Sequence, residues 1–207
     1  MISYFSTLIV DFVEAHAYYA HFVVFLLAMS EAIPVVGTVV PGSTLVIAIS
    51  AIATSADANP WILLVSAFAG AVAGDGFSYW LGWHYHREIL NSWPINRYPQ
   101  FERFVKQYGL ASVFLARFAA IIRAFVPLIA GILRMSPSQF YAANILSALV
   151  WAPAHVFPGV LLAIALQLTG RSVQQRTILL IAGLIIVTIL IYTTRSYSRP
   201  RVIERGK

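Results

Sequence analysis

Two arginines lie inside an apolar stretch of the chain. Residues 115–131 read LARFAAIIRAFVPLIAG and contain Arg117 and Arg123. An arginine within a bilayer costs about 3 kcal/mol on insertion scales and faces protein or a water-filled cavity. A guanidinium group binds phosphate through two parallel hydrogen bonds and stays charged. The pair therefore predicts a protein-lined cavity that receives an anion. The alternatives are a structural ion pair with Glu31 or Asp75, or capping of helix carbonyls.

Glu31 and Asp75 are acidic residues in apolar surroundings and are candidates for carrying a proton. Glu31 ends the first apolar stretch, and Asp75 lies in the second half of a later one. Burial favours the protonated form of a carboxyl group, whereas a nearby guanidinium favours the ionised form, so the two effects together can poise a carboxylate for proton exchange. For Glu31, proton transfer and a permanent salt bridge both stay open. For Asp75 the pattern favours a packing or interfacial role, with proton coupling as the alternative.

The composition predicts an integral membrane protein. Of the 207 residues 59% are hydrophobic and 11% charged, and a soluble core of this size would need a more highly charged exterior. The net charge of +6 collects at residues 84–106 and 195–207, beside apolar segments. Such clusters are typical of cytoplasmic loops, so no nucleic-acid partner is expected. The chain has no cysteine and its histidines show no ligand spacing, so neither a metal nor another cofactor is predicted.

Two apolar segments, residues 31–53 and 109–133, are interrupted by helix-breaking residues. Non-helical backbone at membrane depth is tolerated only against protein or around a cavity. Both segments are therefore predicted to be re-entrant hairpins. The residues expected to shape these hairpins are Pro34, Pro41, Gly42, Pro127 and Gly131.

The rest of the chain predicts about four transmembrane helices. The expected spans are residues 17–32, 61–83, 137–169 and 177–194. Two of them follow strong start signals, Asn59-Pro60 and Ser136-Pro137. The segments predicted outside the spans are an interfacial helix at residues 1–16, a cytoplasmic loop with an amphipathic helix at 84–107, and a basic cytoplasmic tail at 195–207.

These elements together predict an all-α integral membrane protein. The basic segments put both termini in the cytoplasm, so the two hairpins enter the membrane from opposite sides. Oppositely oriented broken segments are typical of inverted-repeat transporters.

Three motifs follow one another in a fixed order. They are E-x-x-P-V-V-G-x-x-V-P-G at 31–42, G-x-x-x-G-D-x-x-x-Y-x-x-G at 70–82, and R-F-x-x-x-x-R-x-F-V-P-L-I-A-G-x-x-x-M at 117–135, and Phe140, Asn144 and Trp151 follow them. In these residues the chain resembles the DedA family, bacterial relatives of the eukaryotic VTT-domain (SNARE-associated) lipid scramblases. The resemblance covers roughly residues 25–155 and implies that residues 17–194 form a single membrane domain of the DedA/VTT type.

The resemblance implies a membrane lipid transporter, a flippase or scramblase, in the bacterial cytoplasmic (inner) membrane. Its substrate would be a phosphate-bearing lipid such as undecaprenyl phosphate or phosphatidylethanolamine, and transport would depend on the proton gradient. The partners would be this lipid and protons, and a homo-oligomer stays open. The residues expected to bind substrate are Arg117, Arg123, Glu31, Ser43 and Asn144, with Glu31 and Asp75 coupling protons. Asn144 either joins helices or lines the cavity.

Two positions differ from the usual pattern of that family. Ala120 and Ile121 stand where Pro and Gly are common, which predicts a more helical backbone around Arg123. Ser43 stands where an acidic residue is common, which leaves Glu31 to act alone. The alternative functions are a proton-coupled transporter of small soluble substrates and a non-transporting membrane scaffold. An enzyme is not expected, since the chain lacks a Ser-His-Asp constellation and a phosphate-binding glycine loop.

Overall fold

A computed structural model describes residues 19–34, 36–39, 42–86, 99–119 and 122–170, together with the isolated residues 175, 179, 182 and 183. Within this part of the chain all regular structure is helical. The predictions for residues 1–16 and 195–207, and for nearly all of 177–194, lie outside the described residues. The helices are α1 (Ala20–Glu31), α2 (Val36–Val39), α3 (Gly42–Ser55), α4 (Pro60–His84), α5 (Pro99–Tyr108), α6 (Leu110–Ala116), α7 (Ile122–Ile132) and α8 (Pro137–Leu168).

Helices α4 and α8 are the two described helices that are long and apolar enough to cross a bilayer. Their 25 and 32 residues give lengths of about 37 and 48 Å, against a hydrocarbon core of about 30 Å. Both begin where the sequence predicts. The side chain of Asn59 accepts a hydrogen bond from the Trp61 backbone N–H at 2.9 Å, and Pro60 is the first helical residue. Pro137 opens α8 after Ser136, although the Ser136 side chain makes no capping bond.

The first predicted interruption is confirmed. Helix α1 ends at Glu31, the short α2 follows, and α3 begins at Gly42. Helix α1 has 12 residues and α3 has 14, or about 18 and 21 Å, so neither crosses the hydrocarbon core as an unbroken described helix. Pro34 lies in the non-helical stretch between α1 and α2, as predicted, whereas Pro41 lies outside the described residues.

The second interruption is not where the sequence predicts it. Pro127 and Gly131 both lie inside α7, so the prediction that they shape a turn is wrong. The chain leaves the helical conformation after Ala116 instead, at residues 117–119. A proline inside a helix removes one backbone donor, and here the carbonyl without its helical partner is that of Arg123. Arg123 itself is the second residue of α7, in agreement with the helical backbone predicted around it.

Gly131 is required by helix packing. A Cβ atom at this position would collide with the backbone carbonyl of Tyr79 in α4, and one at Gly82 would collide with the carbonyl of Leu128 in α7. The two helices are therefore in backbone contact through a pair of glycines, which explains why Gly131 is needed without a turn.

Helix α4 packs against α1 along its first half and against α7 along its second half. In its first half Gly70 and Gly74 admit the backbone carbonyls of Phe25 and Met29 in α1, so the two helices are in close backbone contact. Its second half packs against α7. The ends of the two broken segments therefore converge along one helix.

Helix α8 runs antiparallel to α4 and packs against both α4 and α3. The rings of Trp61 and Phe157 contact each other near one end, and those of Tyr79 and Phe140 near the other, with centroids 6.0 and 4.1 Å apart. Gly159 of α8 admits the backbone of α3, since a Cβ there would collide with the Ile47 carbonyl. Helix α8 continues through its two internal prolines.

Helix α5 is the amphipathic surface helix that the sequence predicts. Val105 is buried, whereas Arg103 and Lys106 are exposed. The loop before this helix, residues 87–98, lies outside the described residues.

Candidate functional site

Both arginines of the second broken segment are buried, and each pairs with an acidic residue. Arg117 is 4% exposed and Arg123 is 6% exposed. Arg117 follows α6 and forms an ion pair with Asp75 of α4. Arg123 lies in α7 and forms an ion pair with Glu31 at the end of α1, with Nη1 and Oε1 2.8 Å apart. Because the chain turns between them, the two arginines lie in separate elements and reach separate partners.

Arg117, Asp75 and Asn144 form the first cluster. The Arg117 Nη2 donates to the Asp75 carboxylate and to the Asn144 side-chain oxygen. Asn144 in turn donates to the Val72 backbone carbonyl of α4 at 3.1 Å. Asp75 is therefore a buried ion-pair partner, in agreement with a packing role. Of the two roles open for Asn144, the structure supports the joining of helices, since it connects α8 to α4 and to Arg117.

Arg123, Glu31 and Ser43 form the second cluster. The Ser43 hydroxyl donates to Glu31 Oε1 at 2.6 Å, and Arg123 Nη1 lies 3.2 Å from the Ser43 oxygen. Glu31 Oε1 thus accepts the hydrogen bond of Ser43 and forms the ion pair with Arg123. Gly42 leaves room for this carboxylate, because a Cβ there would lie 2.8 Å from Glu31 Oε2. The cluster joins α1, α3 and α7, so it lies where the two broken segments meet.

Trp151 and His155 complete the second cluster. The sequence predicted no role for either residue. The Arg123 guanidinium carbon lies 5.0 Å from the centroid of the Trp151 ring, a cation–π contact. The His155 ring stacks on Trp151 with centroids 4.4 Å apart. Both residues lie on one face of α8. The signal that would have indicated them is a Trp and a His four positions apart in an apolar helix, since this spacing places side chains together.

Four buried polar atoms of the two clusters have no hydrogen-bond partner within the described ranges. Three are donors, the Nε and Nη1 of Arg117 and the Nε1 of Trp151, and the fourth is Glu31 Oε2. A buried polar group without a partner costs about 1–3 kcal/mol. These three donors, two of which belong to the Arg117 guanidinium group, make the clusters suited to an acceptor-rich anion, and phosphate oxygens have that chemistry.

An apolar groove lies on the outer surface of the helices, and none of its lining residues belongs to the two clusters. This groove lies between α4 and α8 and is lined only by apolar side chains: Leu64, Val65, Phe68, Leu149, Ala152 and Pro153. It contains no donor for a phosphate group. Across the described ranges no three His, Asp or Glu side chains converge, so no residue set there could hold a metal ion.

The chain is similar in sequence to known bacterial membrane proteins. The chain is 29% identical to Protein DedA of Escherichia coli K12 over 187 residues, which are 87% of this chain and 83% of that protein. It is 27% identical to Inner membrane protein YabI of the same strain over 168 residues, 79% of this chain and 66% of that protein, so it spans about two thirds of YabI. An uncharacterized membrane protein of Synechocystis sp. is 35% identical over 122 residues, 56% of each chain. No solved structure matches the chain.

The family model for the VTT domain matches residues 40–161. These residues include Ser43, Asp75, both arginines and Asn144, whereas Glu31 precedes the matched region. The match covers more than half of the chain, and the relatives named DedA and YabI extend it on both sides. The chain is therefore a membrane protein of the DedA/VTT domain family.

Proposed function

We propose that the protein is a transporter that moves a phosphate-bearing lipid across the bacterial cytoplasmic membrane and couples this movement to protons. Undecaprenyl phosphate and phosphatidylethanolamine are lipids of the required chemistry. The observation that carries the proposal is the second cluster. There a buried arginine is held by a carboxylate that a phosphate could replace, beside Trp151 Nε1, a buried donor with no partner among the described residues.

The exchange would take place at Arg123. Phosphate presents two oxygens to a guanidinium group, as a carboxylate does, so it competes with Glu31 for the same nitrogen atoms. Trp151 Nε1 and the Ser43 hydroxyl are close enough to this arginine to donate to the incoming group. Arg117 can contribute its unpaired Nε and Nη1 while its Nη2 stays bound to Asp75. The phosphate would then be held by several donors in a site that excludes water.

Proton coupling follows from the displaced carboxylate. A buried carboxylate that has lost its arginine is costly in its charged form, so it takes up a proton. Glu31 Oε2 has no partner among the described residues and is the atom available to bind this proton. When the phosphate leaves, Arg123 re-forms its ion pair and the proton is released. Proton release on the side opposite to uptake would tie the movement of lipid to the gradient.

A lipid is favoured over a soluble substrate by the surface of the helices. Large apolar side chains of α4 and α8 are exposed, including Trp61, Val65, Leu149 and Val150. A lipid could therefore keep its apolar chains in the bilayer while its headgroup alone reached the buried donors. A soluble anion would have no use for such a surface.

A membrane scaffold is the second candidate, and the first cluster favours it. Arg117, Asp75 and Asn144 connect helices in the manner of a permanent cross-link. If the Arg123–Glu31 pair were equally permanent, both clusters would be structural.

Lipid translocation in proteoliposomes separates the candidates. Arg123→Lys keeps the charge but loses the planar fork, so transport of a fluorescent phospholipid should fall about tenfold or more, because a charge-assisted hydrogen bond is worth about 1.5–3 kcal/mol. The matched control is Arg134→Lys, at an exposed arginine outside both clusters. Wild-type transport by Arg123→Lys, together with failure of Arg123→Ala to fold, would identify a scaffold. Wild-type protein that moves neither a phospholipid nor undecaprenyl phosphate would remove the lipid function.

The proposed topology has four spans, two re-entrant hairpins that enter from opposite sides, and both termini in the cytoplasm. Helices α4 and α8 support it, since their antiparallel course puts the exposed Asp57 and Arg134 at opposite ends. The chain has no cysteine, so a single cysteine at each position can be labelled selectively. The cysteine at position 57 should react with an impermeant reagent from outside and that at position 134 only from the cytoplasm. The reverse result would overturn this topology.

A further inference from the structure

His155 is a titratable residue next to the second cluster that the exchange mechanism above does not use. Its ring stacks on Trp151 at an interplanar angle of 26°, and its Nδ1 lies 2.8 Å from the Trp151 backbone carbonyl oxygen. A carbonyl oxygen only accepts hydrogen bonds, so Nδ1 carries the hydrogen of the neutral ring. Nε2 therefore keeps its lone pair, and His155 can bind a proton there without losing its bond to the backbone.

The charges that act on the His155 ring are those of the second ion pair, Glu31 of α1 and Arg123 of α7. The other helices packed against this region bring no titratable side chain. Helix α3 has none over its whole length, nor has α6, and α4 has none between residues 60 and 74. Among charged side chains, those of Glu31 and Arg123 are thus the ones that act on His155.

We propose that His155 is a second proton-binding residue of this site, and that its Nε2 takes up a proton when an anionic phosphate occupies Arg123. The inference rests on the proposed function. In the exchange described above the displaced Glu31 is protonated and Arg123 balances one charge of the phosphate, so a phosphate monoester in its doubly charged form leaves the cluster with one net negative charge. A proton on His155 restores neutrality. The resulting imidazolium ring is stabilised by the indole face that it already contacts.

His155 acts on the phosphate through other residues and is therefore a positioning residue. Its positive charge repels the guanidinium of Arg123 and attracts the carboxylate of Glu31, and both effects are strong away from water. Protonation consequently weakens the contact of Arg123 with the shared Trp151 ring and leaves the guanidinium freer to turn towards a phosphate. Two protonatable groups, Glu31 and His155, then flank one exchangeable arginine.

The first test needs no lipid. NMR of the purified protein labelled on its histidine rings would follow protonation from about pH 5 to about pH 9, the range in which histidine titrates. The chain has five histidines, and His155→Phe, which keeps a stacked ring, identifies the His155 signal by its loss. Arg123→Gln should move the midpoint of His155 to higher pH and Glu31→Gln to lower pH, each by on the order of one pH unit. Arg134→Gln is the matched control and should leave the midpoint unchanged.

The second test adds dioleoyl phosphatidic acid in detergent micelles, with binding followed separately by native mass spectrometry. Bound phosphatidic acid should move the His155 midpoint to higher pH. In His155→Phe the protein should still fold, and transport should become less dependent on pH. Absence of any His155 titration, a midpoint equal in all variants, or bound lipid that leaves the midpoint unchanged would each overturn the proposal. Phosphatidic acid that does not bind would refute the lipid function alone. The shifts in Arg123→Gln and Glu31→Gln would then still identify His155 as a proton-binding residue of the ion pair.

Discussion

The two buried arginines form the same kind of ion pair in different settings. Arg117 and Asp75 join the end of α6 to the long helix α4, and Asn144 adds the long helix α8. Arg123 and Glu31 join the ends of two short helices, α7 and α1. The first cluster therefore fixes one helix end against two long helices that continue through it, whereas the second pair connects two helix ends. Helix ends can shift with less loss of packing than a long helix can, so the second pair is the one suited to exchange.

The neighbours of each ion pair also distinguish a fixed first pair from a second pair suited to exchange. Beside Arg117, Asn144 accepts a hydrogen bond from the guanidinium group and donates one to the Val72 backbone carbonyl. Around Arg123 the neighbours are the hydroxyl of Ser43 and the stacked rings of Trp151 and His155, which can accommodate another partner of the arginine. The comparison teaches that a buried arginine–carboxylate pair has no fixed role, because its role depends on the elements that it connects.

The largest expected effect is that of Asp75→Asn on folding. This change keeps the shape of the side chain and removes the charge that compensates Arg117. Loss of one partner of a buried ion pair costs about 3–5 kcal/mol, so the variant should unfold at much lower temperature in detergent or fail to accumulate. The double variant Asp75→Asn/Arg117→Gln should recover part of this loss. Wild-type thermal stability of Asp75→Asn would show that the first cluster is not structural.

Glu31→Gln makes the equivalent change in the second cluster and should reduce the stability of the protein less than Asp75→Asn does. Arg123 keeps Ser43 and the Trp151 ring, and a desolvated cation–π contact is worth about 2 kcal/mol, so the loss of stability should be about 2 kcal/mol smaller than in Asp75→Asn. The amide mimics a protonated acid, so binding of lipid phosphate should be at least as strong as in the wild type. The contribution of Glu31 to the pH dependence of transport in proteoliposomes should disappear. A pH profile equal to that of the wild type would remove Glu31 from the coupling mechanism.

Gly42→Ala tests how tightly the Glu31 carboxylate is held. The added Cβ would lie 2.8 Å from Glu31 Oε2, so the carboxylate must turn away from Arg123. Such overpacking costs about 1–2 kcal/mol, and transport should become less dependent on pH. Gly183→Ala is the matched control, because a Cβ there meets no atom within 4 Å. Equal stability and transport in the two variants would argue against a closely fitted second cluster.

The smallest expected effect is that of Ser43→Ala. It removes a hydroxyl that donates to Glu31 and accepts from Arg123, but leaves the ion pair in place. The expected loss in thermal stability corresponds to about 1 kcal/mol, the value of one hydrogen bond. Ser43→Asp is the informative companion. If it made transport more strongly dependent on pH, the serine would limit the number of protons carried at the second cluster.

The class of this protein and the starts of its long helices follow from the amino-acid sequence. Hydropathy and the low content of charge predict a membrane protein, and the DedA/VTT resemblance is confirmed by comparison with known proteins. Asn59 and Ser136 mark the starts of α4 and α8 because a cap and its following proline act within a single turn. The interruption after Glu31 is predicted by Pro34 for the same local reason. These signals depend on neighbours in the chain and need no tertiary contact.

The pairing of charges and the position of the second turn depend on how the helices pack. Arg117 could have reached Glu31 or Asp75 on sequence grounds, and its pairing with Asp75 depends on the packing of α6 against α8, which itself packs against α4. Gly131 looks like a helix breaker in the sequence, yet it lies inside α7 because α4 needs its missing Cβ to approach. Trp151 has a role only because α7 brings Arg123 to its ring. These contacts join residues distant in the chain, and no local propensity encodes which distant helix a side chain will meet.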